Sequence, residues 1–351
     1  MTVSSIKILL KNGVLLIHGD DGKVNPQRSD ILIEGDTISE IGTTVRTTGE
    51  DVKVLDCENK IISPGFISTH HHVWQTALKG RHVDHTLLEY LPRGNFIGSL
   101  FTTEDAFWGE LGGALEAIDG GTTTIVDHSS LNVGSEFQLQ MGWPPVALQP
   151  EFEANSSLGV DCHSCGSSFM PSQMRLGLQY ARIERQENLR RQGKWSRHVG
   201  PSAEQVFNLA TIGGAKAIGM AGEVGQIRVG ARADLVVFST DSPSMLPAAE
   251  EDPIAAVVLH SSERDVEMVI VGGVIRKENG KLLPVSVTSQ VEGASDLGLH
   301  EKSITWKDVA KNLIESRKRL NKKAEGIDMT AVEETIMDNF YMNRIDMLEQ
   351  S

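Results

Sequence analysis

A chain of 351 residues, 40% hydrophobic and 23% charged, has the composition of an ordinary soluble globular protein with one large domain or two moderate ones. A net charge of −14 with no long basic arm excludes nucleic acid and anionic membrane surfaces as partners, and leaves a small molecule as the expected ligand. Three cysteines are too few for a disulfide framework, and the N-terminal apolar bursts are too short for a signal peptide or a spanning helix, so the chain is expected to be cytoplasmic.

Short β-rich runs come first: Ile6 to Leu10, Val14 to His18, Asp30 to Glu34, Thr37 to Ile41 and Val52 to Asp56, with Gly35-Asp36 as a tight hairpin. From Ile62 longer helical tracts alternate with buried-looking strands, the pattern of a parallel α/β unit. The tract Pro64-Gly65-Phe66-Ile67-Ser68-Thr69-His70-His71-His72-Val73-Trp74-Gln75-Thr76 ends an apolar strand in a His-x-His pair. Side chains two apart on a strand share a side, so His70 and His72 can grip one ion while His71 faces the other way. Further along come Gly120-Gly121-Thr122-Thr123-Thr124-Ile125-Val126-Asp127-His128-Ser129-Ser130 and Ser157-Leu158-Gly159-Val160-Asp161-Cys162-His163-Ser164. Cys162 and Cys165 form a Cys-x-x-Cys pair that reads as buried, inert thiols. Strand patterning returns over 225–238, 256–260 and 266–276. From Ser303 the tail is charged and helical, with Trp306, Val309, Leu313, Ile314, Val332, Ile336 and Phe340 at helical spacing; Arg317-Lys318-Arg319 and Lys322-Lys323 read as a solvated face.

Over roughly residues 5 to 285 these tracts resemble the amidohydrolase superfamily, in particular its branch of cytosine, guanine and S-adenosylhomocysteine deaminases and chlorotriazine hydrolases. In that resemblance 64–76 is similar to the first barrel strand, 120–130 to the second, Gly134 to Gly142 to the segment after the seventh, and 157–164 to the eighth. Asn208 to Met220 resembles the last barrel helix, and Ala233-Asp234-Leu235-Val236 the re-entry into a β-sandwich, with Asp234 a structural turn carboxylate. The implied fold class is α/β: an incomplete TIM-type (β/α) barrel over 63–222, a composite β-sandwich from 1–62 and 223–285, and a C-terminal helical tail over 286–351. A whole barrel takes about 250 residues, and roughly 160 lie between Pro64 and Met220, so the third to sixth strands are expected to be missing. The remaining arc would leave open sheet edges, for which a homo-oligomer, a rearranged sheet or a defective gene model are alternative explanations.

The resemblance implies one divalent metal, zinc ahead of iron, held by His70, His72 and Asp161. Asp161 is then also the catalytic proton carrier and His128 a second catalytic candidate, while Trp74 and Gln75 are candidate substrate-binding residues; helix capping for Asp161 and core packing for Trp74 remain alternatives. The fifth-strand His-x-x-Glu of the branch has no counterpart in the barrel segment, and His260-Ser261-Ser262-Glu263 matches it by spacing alone. The implied function is a metal-dependent hydrolase acting on a non-peptide carbon–nitrogen bond of a cyclic substrate, a deaminase among the options. The competing reading is an inactive, truncated pseudoenzyme.

Overall fold

A computed structural model describes residues 7–47, 51–128, 148, 154–287, 297–299 and 301–339. The first strands are β1 (Lys7–His18), β2 (Val24–Glu34), β3 (Thr37–Gly42), β4 (Val52–Asp56) and β5 (Lys60–Pro64). β1, β2 and β3 form an antiparallel meander, and Glu34 pairs Thr37 across the Gly35-Asp36 turn, where Gly35 takes φ +64°. That is the positive φ a two-residue hairpin loop demands. Asn12 also has positive φ, and the β1 register shifts between Leu10 and Gly13. The long strand is thereby divided: its first half pairs with β4 and its second with β5.

The central segment starts with β6 (Phe66–His72), followed by a 3-10 turn over Val73–Leu78 and helix α1 (Thr103–Asp119). Thr102 caps α1 reciprocally with Asp105, two orphan amides being satisfied at once. Strands β7 (Thr122–Asp127) and β8 (Asp161–Cys162) flank β6 in a parallel sheet of order β7-β6-β8, three strands among the described residues. Helices α2 (Met170–Arg191), α3 (Ala203–Leu209) and α4 (Ile212–Ala217) follow. The expected post-seventh-strand segment, Gly134 to Gly142, lies outside the described residues.

Strands β9 (Leu235–Ser239), β10 (Val266–Val271), β11 (Val274–Glu278) and β12 (Lys281–Leu282) return to the N-terminal strands. The seam is β5 against β9, antiparallel, with Ile61 opposite Phe238 and Ile62 opposite Val237. Both chain ends thus contribute to one connected nine-stranded sheet. Its central strand β9 is apolar over Leu235 to Phe238 because both faces are covered. Leu235 and Val237 enter the cluster of Leu10, Leu15 and Ile62, whereas Val236 and Phe238 enter that of Phe66, Phe207 and Met170. Within the region 256–260, read as strand from its apolar run, the chain is instead helical, since Asp252 caps a helix start at Pro253 and the run continues as a wide turn.

At the tail, α5 (Trp306–Ala324) and α6 (Met329–Asn339) pack on the central segment, with Val309, Leu313 and Leu320 buried beside Trp74 and Trp108. The basic run is not all solvated face. Arg319 is 2.6 Å from the buried Asp105 carboxylate and Arg317 donates to the Lys79 carbonyl; Lys318 pairs only with the exposed Glu315. No described helix is long and apolar enough to cross a membrane.

Candidate metal centre

Strand alternation at the C-terminal end of β6 sends His70 and His72 to one side and His71 to the other, where it is fully buried. β8 runs parallel to β6 with Asp161 registered against His71. A regular strand residue there would point with His71 into the core. Asp161 instead has φ +68°, and its carboxylate lies on the side of His70 and His72. Asp Oδ1 is 3.4 Å from His70 Nε2 and 3.6 Å from His72 Nε2, and the three atoms all lie within 4.8 Å of one another. Close approach of the strands depends on Gly159, where a Cβ would stand 2.6 Å from the His70 carbonyl oxygen.

Two local features prepare this trio to accept a cation. His72 Nδ1 is 3.1 Å from the His128 carbonyl oxygen, so Nδ1 donates its proton there and Nε2 keeps the lone pair that faces the trio. Burial lowers the His72 pKa against the raising effects of Asp161 and the His128 carbonyl, which favours the neutral, ligating ring. Meanwhile Asp161 Oδ1 is shielded from solvent and has no hydrogen-bond donor among the described residues. A buried carboxylate oxygen without a donor costs free energy, and a cation between it and two imidazole nitrogens removes that cost. Two nitrogens and one oxygen suit zinc or ferrous iron. The described residues therefore fit a divalent metal.

His128 directly follows β7, with its ring centroid 4.2 Å from that of His70 and 5.6 Å from that of His72. It stands beside the trio, and its carbonyl rather than its ring orients His72. β7 is fixed there at two points: the His128 amide donates to the His71 carbonyl at 2.7 Å, and Asp127 Oδ1 accepts from the Val73 amide at 3.0 Å.

Trp74 and Gln75, the candidates for contacting substrate, with core packing the alternative for Trp74, are both fully buried. The 3-10 turn after β6 folds them against α1, whose Gly109 lies under the Trp74 carbonyl, and Trp74 packs edge-on to Phe101. Gln75 donates to the Tyr90 hydroxyl at 2.5 Å and accepts from Ser164 Oγ at 3.0 Å, tying the turn to the segment that follows Asp161. As they stand, neither presents a surface to a ligand. Cys162 shares the Tyr90 hydroxyl, its thiol pushed up to about 12 by burial and by neighbouring Asp161, so it is a protonated, inert group.

A second polar cluster supports β6 from behind. His163, fully buried, lies 4.9 Å ring to ring from His71 and bonds Glu116 Oε2 at 2.8 Å, while Glu116 Oε1 takes Lys79 at 2.5 Å. Burial alone would raise the Glu116 carboxyl, but His163 and Lys79 outweigh it and hold the group at about 2. Sequence reasoning missed Tyr90, Lys79 and Glu116, because their partners lie far off along the chain and no local spacing marks them. Asp234 is the expected turn carboxylate, accepting the Gly272 amide at 2.6 Å.

Residues 132–276 match the model of the amidohydrolase family, a span that includes Asp161 and the return into the large sheet. Over that span the chain is similar to the amidohydrolase family. Relatives of known activity agree. Over 162 residues, 42% of this chain, it is 40% identical to a 5-methylthioadenosine/S-adenosylhomocysteine deaminase of Carboxydothermus hydrogenoformans, covering 36% of that protein. It is also 40% identical over 107 residues, 30% of this chain, to a 5′-deoxyadenosine deaminase of Methanocaldococcus jannaschii, covering 25% of it. The chain thus spans about a third or less of the length of these relatives. In fold, the chain is similar to a zinc-bound adenosine deaminase of Xanthomonas campestris, with TM-score 0.66 at 13% identity over 90% of this chain and 98% of that one. A zinc complex of atrazine chlorohydrolase from Arthrobacter aurescens gives TM-score 0.64 at 13% identity over 88% and 100%.

Proposed function

We propose that this chain is a metal-dependent hydrolase of the amidohydrolase family that cleaves an exocyclic carbon–nitrogen bond of a small heterocycle, releasing ammonia. One observation carries the reading: two imidazoles and a carboxylate from sequence-distant strands converge at the C-terminal ends of neighbouring parallel strands, where barrel-type folds build active sites. The family match over 132–276 and the deaminase relatives support the reaction class, and the zinc reported in the similar structures supports a divalent metal, zinc by preference.

A cation held by His70, His72 and Asp161 would supply a Lewis acid and make water a nucleophile near neutral pH. Asp161 takes the proton of the attacking water on its carboxylate and returns it to the departing amine. His72 is held by the His128 carbonyl so that its lone pair stays directed at the site. The His128 ring, at the end of β7 beside His70, stands where it can hydrogen-bond a substrate heteroatom or developing charge.

The second reading, a metal-binding module without turnover, draws support from one finding: the parallel sheet has three strands among the described residues, and the only group there that could hold a metal has three donors. An assay of ammonia release from adenosine, S-adenosylhomocysteine, 5-methylthioadenosine, guanine and cytosine, with zinc-loaded protein beside Asp161→Ala, decides between them. Turnover that disappears in the variant supports the hydrolase. Zinc-loaded protein with no turnover above the variant on any substrate leaves the binding module.

A further inference from the structure

Away from the metal centre, the segment after the 3-10 turn and the two C-terminal helices form an open groove of about 310 Å³ lined by Arg81, His85, Arg93, Asn321, Glu325 and neighbouring apolar groups. A water molecule occupies roughly 30 Å³, so there is room for a small polyatomic ion and part of its hydration shell. The charges on its walls are poorly matched from within. Arg93 is paired, 3.3 Å from Glu333 on α6. Arg81 is about half buried, and its guanidinium makes no hydrogen bond or ion pair among the described residues. Burial first, and then the like charge of Arg317, disfavour its protonated form, and no carboxylate offsets them although Glu325 is on the same wall. Arg317 itself is held by the Lys79 carbonyl and is not free to swing away.

A half-buried guanidinium without a partner, with a second guanidinium, an imidazole and an amide lining the same groove, is a donor set for a tetrahedral oxyanion. We propose that this groove binds phosphate, either free or as the end of a nucleoside monophosphate, and that the bound anion bridges the 81–93 segment to α5 and α6. Arg81 supplies the principal fork, His85 and Asn321 supply additional donors, and Arg93 adds long-range attraction while remaining paired with Glu333. The anion supplies the counter-charge that Arg81 lacks. The site is independent of the reaction proposed above, since none of its residues belongs to the metal trio.

The test is thermal unfolding and calorimetric titration of the full chain with inorganic phosphate and with adenosine monophosphate, against chloride at matched ionic strength. Expected is a saturable rise in Tm with phosphate, and binding weakened by about tenfold or more in Arg81→Gln, the loss of one charge-assisted fork. Tighter binding of the nucleotide would assign the anion to a nucleoside monophosphate, and equal or weaker binding to free phosphate. If Arg81→Gln does not fold, Arg93→Gln and a phosphorus NMR titration of the natural sequence carry the same expectation of binding and its weakening. No phosphate effect beyond that of chloride, or an equal effect in the variants, overturns the proposal.

Discussion

Asp161 shows how one residue can be built for binding at the expense of its own backbone. Its φ of +68° is uncommon for a residue with a Cβ and costs about 1–2 kcal/mol, and its Oδ1 is left without a donor. Asp161→Gly removes both penalties. We expect the variant to unfold at an equal or higher denaturant midpoint, by about 1 kcal/mol, while zinc affinity falls; a clear loss of stability would show that the carboxylate serves the fold instead. His18 gives a pH signature far from that site. Burial lowers its pKa from 6.5 to about 4 despite the raising effect of the Asn208 hydrogen bond, and its ring stacks on Phe207. Between those values the unfolded chain binds the proton and the folded chain does not. Stability from this group is thus complete above about pH 6.5, declines as pH falls towards 4 and then levels, by up to about 3 kcal/mol. His18→Gln, which does not titrate, should flatten that part of the stability–pH curve in chemical denaturation. An unchanged slope would assign the acid sensitivity to other groups.

At the scale of elements, the 3-10 turn carrying Trp74 and Gln75 is fixed by glycines more than thirty positions away. Gly109 sits mid-helix in α1, where Ala normally gains about 1 kcal/mol over Gly. Here a Cβ would stand 2.5 Å from the Trp74 carbonyl oxygen. Gly109→Ala should therefore lower the urea midpoint despite its better helix propensity, by about 1–3 kcal/mol. A stabilised variant would mean that α1 and the turn are not in contact. The same dependence explains what was legible in the sequence. His70 and His72 could be read directly, because the strand period is short and both residues sit in one tract. Asp161 could be reached only through family resemblance, and its turned backbone has no local signature. Core packing was one of two readings the sequence allowed for Trp74, whereas burial of Gln75 was not legible, since it is decided by Tyr90 and Ser164 on other elements. The apolar run at 256–260 looked like strand because short buried helical and strand segments share a pattern, and the deciding cap at Asp252 precedes it.

In the whole molecule, both chain ends meet in one sheet whose β5–β9 seam backs directly onto the strand that carries the histidines. The C-terminal helices, tied by Arg319 to Asp105 and by Arg317 to Lys79, cover the outer side of α1 and of the turn after β6. This arrangement holds β6 between a composite sheet and a helical layer, and leaves the His70, His72 and Asp161 end partly exposed. The central claim is that these three residues form a divalent-metal site. Calorimetric titration of metal-free protein with zinc tests it most directly, with His72→Ala and Asp161→Ala alongside. The structure predicts one zinc per chain, bound at least about tenfold more weakly by each variant. Absence of saturable binding, or binding unchanged by both substitutions, would contradict it.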